Sequence, residues 1–76
     1  MPRIAPLHWK TLLNLFVHFG CEYRRKEGSH HILWHPNAKR AVVIPEYREV
    51  GLDIIASNMK TVGMTRAQFF ELLQKV

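Results

Sequence analysis

The sequence predicts a small two-layer α+β domain, in which one helix precedes a three-stranded antiparallel meander and two further helices follow it. Three observations support this prediction. The chain has 76 residues, 47% of them apolar, which is enough for one modest core and a single domain over residues 1–76. Apolar residues recur at three- and four-residue steps near both ends of the chain. Between these regions lie short strand-like segments separated by glycine or proline turns.

Residues 7–19 form the first predicted helix. Its apolar residues fall on one stripe, which consists of Trp9, Leu12, Leu13, Phe16 and Phe19. Pro6 suits the first turn, where a missing N–H costs nothing, and Gly20 suits the C-terminal cap. The stripe is typical of a surface that faces a core rather than of a ligand site.

The central part of the chain predicts three strands, at residues 21–26, 30–35 and 40–45. Gly28 and Ser29 turn the chain between the first two strands, and residues 36–39 have the composition of a type I turn. Pro45 ends the third strand because its nitrogen has no hydrogen to donate. Every connection is short, so we expect the strands to form a meander.

Two helices are predicted after the meander, at residues 52–62 and 66–75. Gly63 ends the first of them, and Thr65 and Gln68 have the spacing of a capping box at the start of the second. The predicted core contains Trp9, Leu12, Leu13, Phe16, either Val42 or Val43, Ile55, Met59, Phe69 and Leu73.

The composition limits the classes of partner and of location. A formal net charge of +5 and a pI near 9.9 favour a polyanionic partner, either nucleic acid or an acidic protein. Cys21 is the only cysteine, which excludes an internal disulfide and a cysteine-based zinc cluster and fits the reducing cytoplasm. Polar residues interrupt the N-terminal apolar stretch, so we expect neither a signal peptide nor a membrane span.

The segment 28–31, Gly-Ser-His-His, carries the clearest chemical signal. A glycine turn can hold an imidazole at an exposed strand end, and histidine can donate or accept a proton near neutral pH. Arg24, Arg25 and Lys26 precede the turn and would contact phosphates, with neighbouring members pointing in opposite directions along a regular strand. The pattern suggests a site that handles RNA; the alternative is a surface hairpin with unrelated histidines.

Strand alternation separates the histidines of the second strand. His31 and His35 fall on one face, and His30, Ile32 and Trp34 fall on the other. If the face with Ile32 and Trp34 is the core, His30 lies at its open end, and His31 and His35 face solvent. A metal site at His31 and His35 would need a third ligand, and none is obviously placed. We therefore expect no metal and no cofactor.

A set of short motifs spans nearly the whole chain: Lys10, Gly20, Arg25, Gly28-Ser29-His30, His35-Pro36, Val42 to Pro45, and Lys60 to Thr65. In order and spacing, these motifs resemble the HicA toxin family of small messenger-RNA interferases. The resemblance implies a fold similar to a double-stranded-RNA-binding domain, mRNA as the substrate and a HicB-like antitoxin as the protein partner. It also implies that His30 is the catalytic histidine, which acts as a general acid and base without a metal.

The residues expected to bind RNA are Lys10, Arg24, Arg25, Lys26, Gly28 and Ser29. Two positions depart from the family pattern. Glu46-Tyr47 stands where members commonly have a histidine, and Asp53-Ile54 stands where many have glycine and threonine. A helix N-terminus attracts phosphate, and an aspartate at that place would repel it.

Three classes of function follow from the sequence. The first is a ribonuclease toxin that uses His30, with the 2′-OH of RNA as the nucleophile. The second is a non-catalytic RNA-binding module of the same fold, which would hold phosphates by shape and charge. The third is a protein-binding domain whose basic surface meets an acidic partner.

Overall fold

The computed structural model describes residues 3–76 and contains three helices and one sheet within that range. The elements are α1 (Trp9–Phe19), β1 (Glu22–Glu27), β2 (His30–Trp34), β3 (Val42–Pro45), α2 (Leu52–Val62) and α3 (Arg66–Leu73). The strands pair antiparallel in the order β1-β2-β3, which confirms the predicted α+β arrangement. None of the helices in residues 3–76 has the length and apolar character needed to cross a membrane.

The first helix begins two residues later than predicted. His8 is its N-cap, and the His8 Nδ1 atom accepts a hydrogen bond from the Lys10 backbone N–H at 3.1 Å. Leu7 instead forms an antiparallel bridge with Val50, with N–O distances of 3.3 and 2.7 Å. The prediction that Pro6 lies in the first turn was therefore wrong, because this bridge occupies the backbone before the helix.

The hairpin between β1 and β2 has a two-residue turn, as predicted. Gly28 has φ 60°, which lies in the left-handed region that residues with a Cβ atom rarely adopt. In residues 3–76, only glycines have a positive φ. A positive φ at the first central residue alone is the signature of a type II′ turn, which matches the twist of a hairpin. The turn places His30 directly opposite Glu27 at the end of the ladder.

The core lies between the sheet and the helices, with α1 packed against β3 and α3 and with α2 packed against β3. Among the predicted core residues, the buried ones are Leu12, Phe16, Val42, Ile55, Met59 and Phe69, whereas Trp9, Leu13 and Leu73 are half-buried. The prediction omitted Leu15, which is fully buried. On β3, Val42 faces the core and Val43 faces out, so one of the two alternatives is confirmed.

Asn58 of α2 closes the exposed edge of the sheet at β3. Its side-chain Nδ2 donates to the Val43 carbonyl at 2.9 Å, and its Oδ1 accepts from the Val43 N–H at 3.4 Å. The amide thus takes the place of a neighbouring strand, which protects an edge that could otherwise pair with another chain. The two hydrogen bonds also fix α2 beside β3.

Replacing Asn58 by alanine should lower the free energy of unfolding by about 1–3 kcal/mol, because the backbone groups of Val43 lose their partners. Asn14→Ala is the matched control, since Asn14 is an exposed asparagine within α1. Urea unfolding of both variants measures the difference. If the two variants unfold at the same urea concentration, Asn58 does not stabilise the edge.

Candidate functional site

His30 is exposed at the start of β2, between Glu27 on one side and Pro45 on the other. Its side chain lines an open groove of about 480 Å³ that runs between β3 and α2. The positions of His30 and of the glycine turn before it agree with the sequence prediction. An exposed imidazole at the lip of a groove is accessible to a large substrate.

The two ends of this groove differ in charge. Tyr47 and Asp53 line it near His30, and Arg40, Ser57 and Thr61 line it farther along. Asp53 and Arg40 lie at different ends of the groove because α2 runs antiparallel to β3. The last turns of α2 therefore lie beside Arg40, which precedes β3 in the chain. One end therefore has a carboxylate, and the other has a guanidinium and hydroxyl groups.

His31 is buried, which contradicts the expectation that it faces solvent. Its ring stacks on Trp9 with centroids 4.5 Å apart and planes inclined by 9°. The Tyr23 hydroxyl lies 3.0 Å from its Nδ1 atom. The core face of β2 is thus the face with His31 and Leu33, and His30 lies on the opposite face with Ile32 and Trp34.

Glu46 connects His31 to Lys26. Its Oε1 atom lies 2.7 Å from Lys26 Nζ and 3.3 Å from His31 Nε2, although neither contact has the angles of a regular hydrogen bond. The close contact with the Lys26 ammonium lowers the pKa of the Glu46 carboxyl below its usual range and raises the pKa of Lys26. Because the pKa of Glu46 is lowered, this contact stabilises the fold at neutral pH and is lost as the pH falls through the carboxyl titration.

A β-bulge at Arg24 changes the predicted alternation along β1. The register skips from Tyr23, opposite Leu33, to Arg25, opposite Ile32. As a result, Arg24 and Arg25 both lie on the outer face beside Ile32 and Trp34, and Lys26 lies on the His31 face. The expectation that Arg25 and Lys26 point in opposite directions holds, whereas the same expectation for Arg24 and Arg25 was wrong.

Each of the three β1 cations is paired with a carboxylate of the chain itself. Arg24 Nε lies 3.6 Å from Glu22 Oε1, Arg25 contacts Glu27, and Lys26 contacts Glu46. Apart from Glu46, which is 25% exposed, these side chains are at least half exposed, and exposed pairs are weak and screened by salt. A phosphate could displace the carboxylates, but it would have to compete with them.

The remaining predicted RNA-binding residues do not form one cluster with His30. Gly28 and Ser29 share its hairpin, and the Ser29 carbonyl accepts the Glu46 N–H at 2.9 Å. Lys10 is exposed on α1, where its Nζ atom lies 5.7 Å from the Trp9 ring centroid. The structure therefore places Gly28, Ser29 and Arg25 on or near the His30 face and places Lys10 on another element.

Sequence reasoning missed a second group of cations, Lys39, Arg40 and Lys60. They line a cavity of about 500 Å³ between the β2–β3 turn and the last turns of α2. Within residues 3–76, no carboxylate lies within ion-pair distance of any of the three. The adjacent pair Lys39-Arg40 in a turn was a visible signal, but its proximity to Lys60 depends on the tertiary fold.

Neither His35 nor Cys21 has the environment of a metal ligand or a reactive group. The His35 Nδ1 atom accepts the Asn37 N–H at 3.1 Å, and its ring contacts Phe19. Burial raises the pKa of the Cys21 thiol to about 11, so the unreactive thiol form predominates at neutral pH. Residues 3–76 contain no group of three histidine, cysteine or acidic side chains arranged to hold a metal ion.

Fold and site together define a small basic α+β domain in which an exposed histidine and Arg40 line one groove, with Lys39 and Lys60 in the adjoining cavity. A family model described as the HicA toxin of bacterial toxin-antitoxin systems matches residues 9–64 of the 76-residue chain. The chain belongs to the HicA toxin family, which implies a toxin role and an antitoxin partner. No curated protein matches it significantly.

Proposed function

We propose that this protein is the toxin of a toxin–antitoxin pair and that it cleaves mRNA in the cytoplasm as a metal-independent endoribonuclease. The observation that best supports the proposal is the placement of His30, an exposed imidazole at the lip of a groove that Arg40 lines farther along. Membership of the HicA toxin family supports the toxin part of the proposal.

In the proposed reaction, His30 first acts as a general base. Its neutral imidazole takes the proton of a 2′-OH, the 2′-oxygen forms a bond to the adjacent phosphorus, and the bond from phosphorus to the 5′-oxygen breaks. The imidazolium then gives its proton to the departing 5′-oxygen. Arg24 and Arg25 on the same face would stabilise the additional negative charge on the phosphate oxygens.

The other proposed contacts hold the RNA rather than take part in proton transfer. Gly28 and Ser29 bring the hairpin backbone close to the substrate, and Lys10 and Lys26 add positive charge at the edge of the site. Lys26 would do so after phosphate displaces Glu46 from it.

Cleavage of an mRNA in the presence of EDTA tests the proposal. We expect the rate to be unchanged by the chelator and to vary with pH between about pH 5 and 8, because a histidine moves the proton. Loss of cleavage in EDTA, with recovery on adding a divalent cation, would contradict the proposal and indicate a metal-dependent enzyme.

A second candidate function is a non-catalytic RNA-binding module of the same fold. One observation favours it: within residues 3–76, the His30 ring makes no hydrogen bond that would orient it for proton transfer. Such a module would bind mRNA and leave it intact at every pH. The cleavage assay therefore distinguishes the two candidates.

A further inference from the structure

We propose that Arg40, Lys60 and Ser57 form a phosphate subsite that holds the RNA at a nucleotide several steps away from the cleaved bond. The connection to cleavage rests on the proposed function. The subsite itself is inferred from the geometry of the groove and from the distribution of charge.

Four side chains line a cavity of about 360 Å³ at this place: Arg40, Ser57, Lys60 and Thr61. The three residues from α2 are spaced at i, i+3 and i+4, so they lie on one face of the helix. The Thr61 hydroxyl donates to the Ser57 carbonyl at 3.0 Å, whereas the Ser57 hydroxyl has no hydrogen-bond partner within the described range 3–76. The cavity thus offers two cations and one free hydroxyl donor, which is a donor set suited to phosphate.

Charge distinguishes this subsite from β1. The β1 cations are neutralised by glutamates of the chain, but Arg40 and Lys60 have no carboxylate at ion-pair distance in the described part of the chain. Lys39 adds a third positive charge to the adjoining cavity. A polyanion can therefore bind here without first displacing an internal partner.

The subsite belongs to the same groove as His30 but lies at its other end. Arg40, Ser57 and Thr61 line both cavities, so the two are continuous. Pro45 is the strand partner of His30, and Ala41 follows Arg40 in the chain. Four residue steps lead from Ala41 to Pro45, which is roughly 13 Å along an extended chain. A stacked strand rises about 3.4 Å per nucleotide, so this distance corresponds to several nucleotides. One phosphate therefore cannot contact both His30 and the subsite.

The experiment compares two substrates that differ in the number of phosphates: a dinucleotide, which has only the cleaved one, and a decanucleotide. We expect Arg40→Gln and Lys60→Gln each to raise KM for the decanucleotide roughly tenfold. Neither variant should change kcat/KM for the dinucleotide. Lys75→Gln removes the same charge outside the groove and the cavities that Arg40 and Lys60 line, and is expected to leave both substrates unaffected.

Binding to an uncleavable 2′-O-methyl decanucleotide separates this proposal from the proposed function. The slope of log affinity against log salt should fall by about 0.7 for each variant, whether or not the protein cleaves RNA. The subsite is overturned if both variants keep the wild-type slope, or if they impair the dinucleotide and the decanucleotide equally. Absence of cleavage by the wild type, with the slope reduced in the variants, would reject the nuclease and retain the subsite.

Discussion

Replacing His30 by alanine is expected to slow RNA cleavage by about 10²- to 10⁴-fold, the range that a general acid–base group contributes. The loss should fall on the chemical step, since the imidazole is assigned to proton transfer. Stability should change little, because His30 is exposed and pairs with Glu27 and Pro45 through its backbone. Single-turnover cleavage measures the first effect, and thermal unfolding measures the second.

His18→Ala is the appropriate control for this substitution. His18 is an exposed histidine on α1, outside the groove that contains His30, so its removal should leave cleavage unchanged. His31→Ala would be a poor control, because His31 is buried against Trp9 and its loss would disturb the core. Equal rates for His30→Ala and His18→Ala would reject the assignment of His30.

The second large effect is expected from the antitoxin partner. We expect a HicB-like antitoxin to form a stable complex that has no detectable nuclease activity, either by covering His30 or by displacing RNA from the basic surface. The partner should be acidic where it meets Arg24, Arg25 and Lys26. Because these cations already contact glutamates, the partner must compete with the internal pairs.

Titration of cleavage activity with the purified partner measures this effect. Activity should fall to background as the complex forms. Arg24→Glu with Arg25→Glu should weaken the complex by like-charge repulsion, which a direct binding titration measures because both arginines belong to the proposed catalytic site. Lys75→Glu, a charge reversal at an exposed residue beyond the end of α3, provides the control. A complex that cuts RNA at the full rate would contradict the expected inhibition.

The fold was predictable because its signals are local. Gly20 ends α1 with φ 115°, Gly63 ends α2 with φ 72°, and Thr65 and Gln68 form both hydrogen bonds of the capping box. Each of these features depends on a few neighbouring residues and on conformations that glycine or short polar side chains favour. The start of α1 was less predictable, since it depends on the distant pairing of Leu7 with Val50.

The orientation of β2 could not be predicted from its sequence. Both faces contain large apolar side chains, so alternation alone does not decide between the face with Ile32 and Trp34 and the face with Leu33. The stacking of Trp9 on His31 accompanies burial of the second face, and it joins residues far apart in the chain. A histidine therefore occupies a position where an apolar residue would be expected.

The charge distribution also depends on tertiary contacts. The sequence indicates a basic segment at residues 24–26, but the fold brings Glu46 onto Lys26 and leaves Arg40 and Lys60 without an acidic partner among residues 3–76. Glu46 stands where the family pattern commonly has a histidine, and here it joins Lys26 to His31. The exposure of His30 at the start of β2, directly after the glycine turn, was the part of the site that local sequence predicted, whereas the groove beside it depends on the packing of α2 against β3.

The chemical identity of the cleaved ends tests the central claim most directly. If the 2′-OH attacks with His30 moving the proton, mass spectrometry of the products should find a 2′,3′-cyclic phosphate, or the 3′-phosphate from its hydrolysis, and a 5′-hydroxyl. The His30→Ala variant should yield these ends only at its much reduced rate. Products with a 3′-hydroxyl and a 5′-phosphate would show that water attacks instead, and would contradict the proposed role of His30.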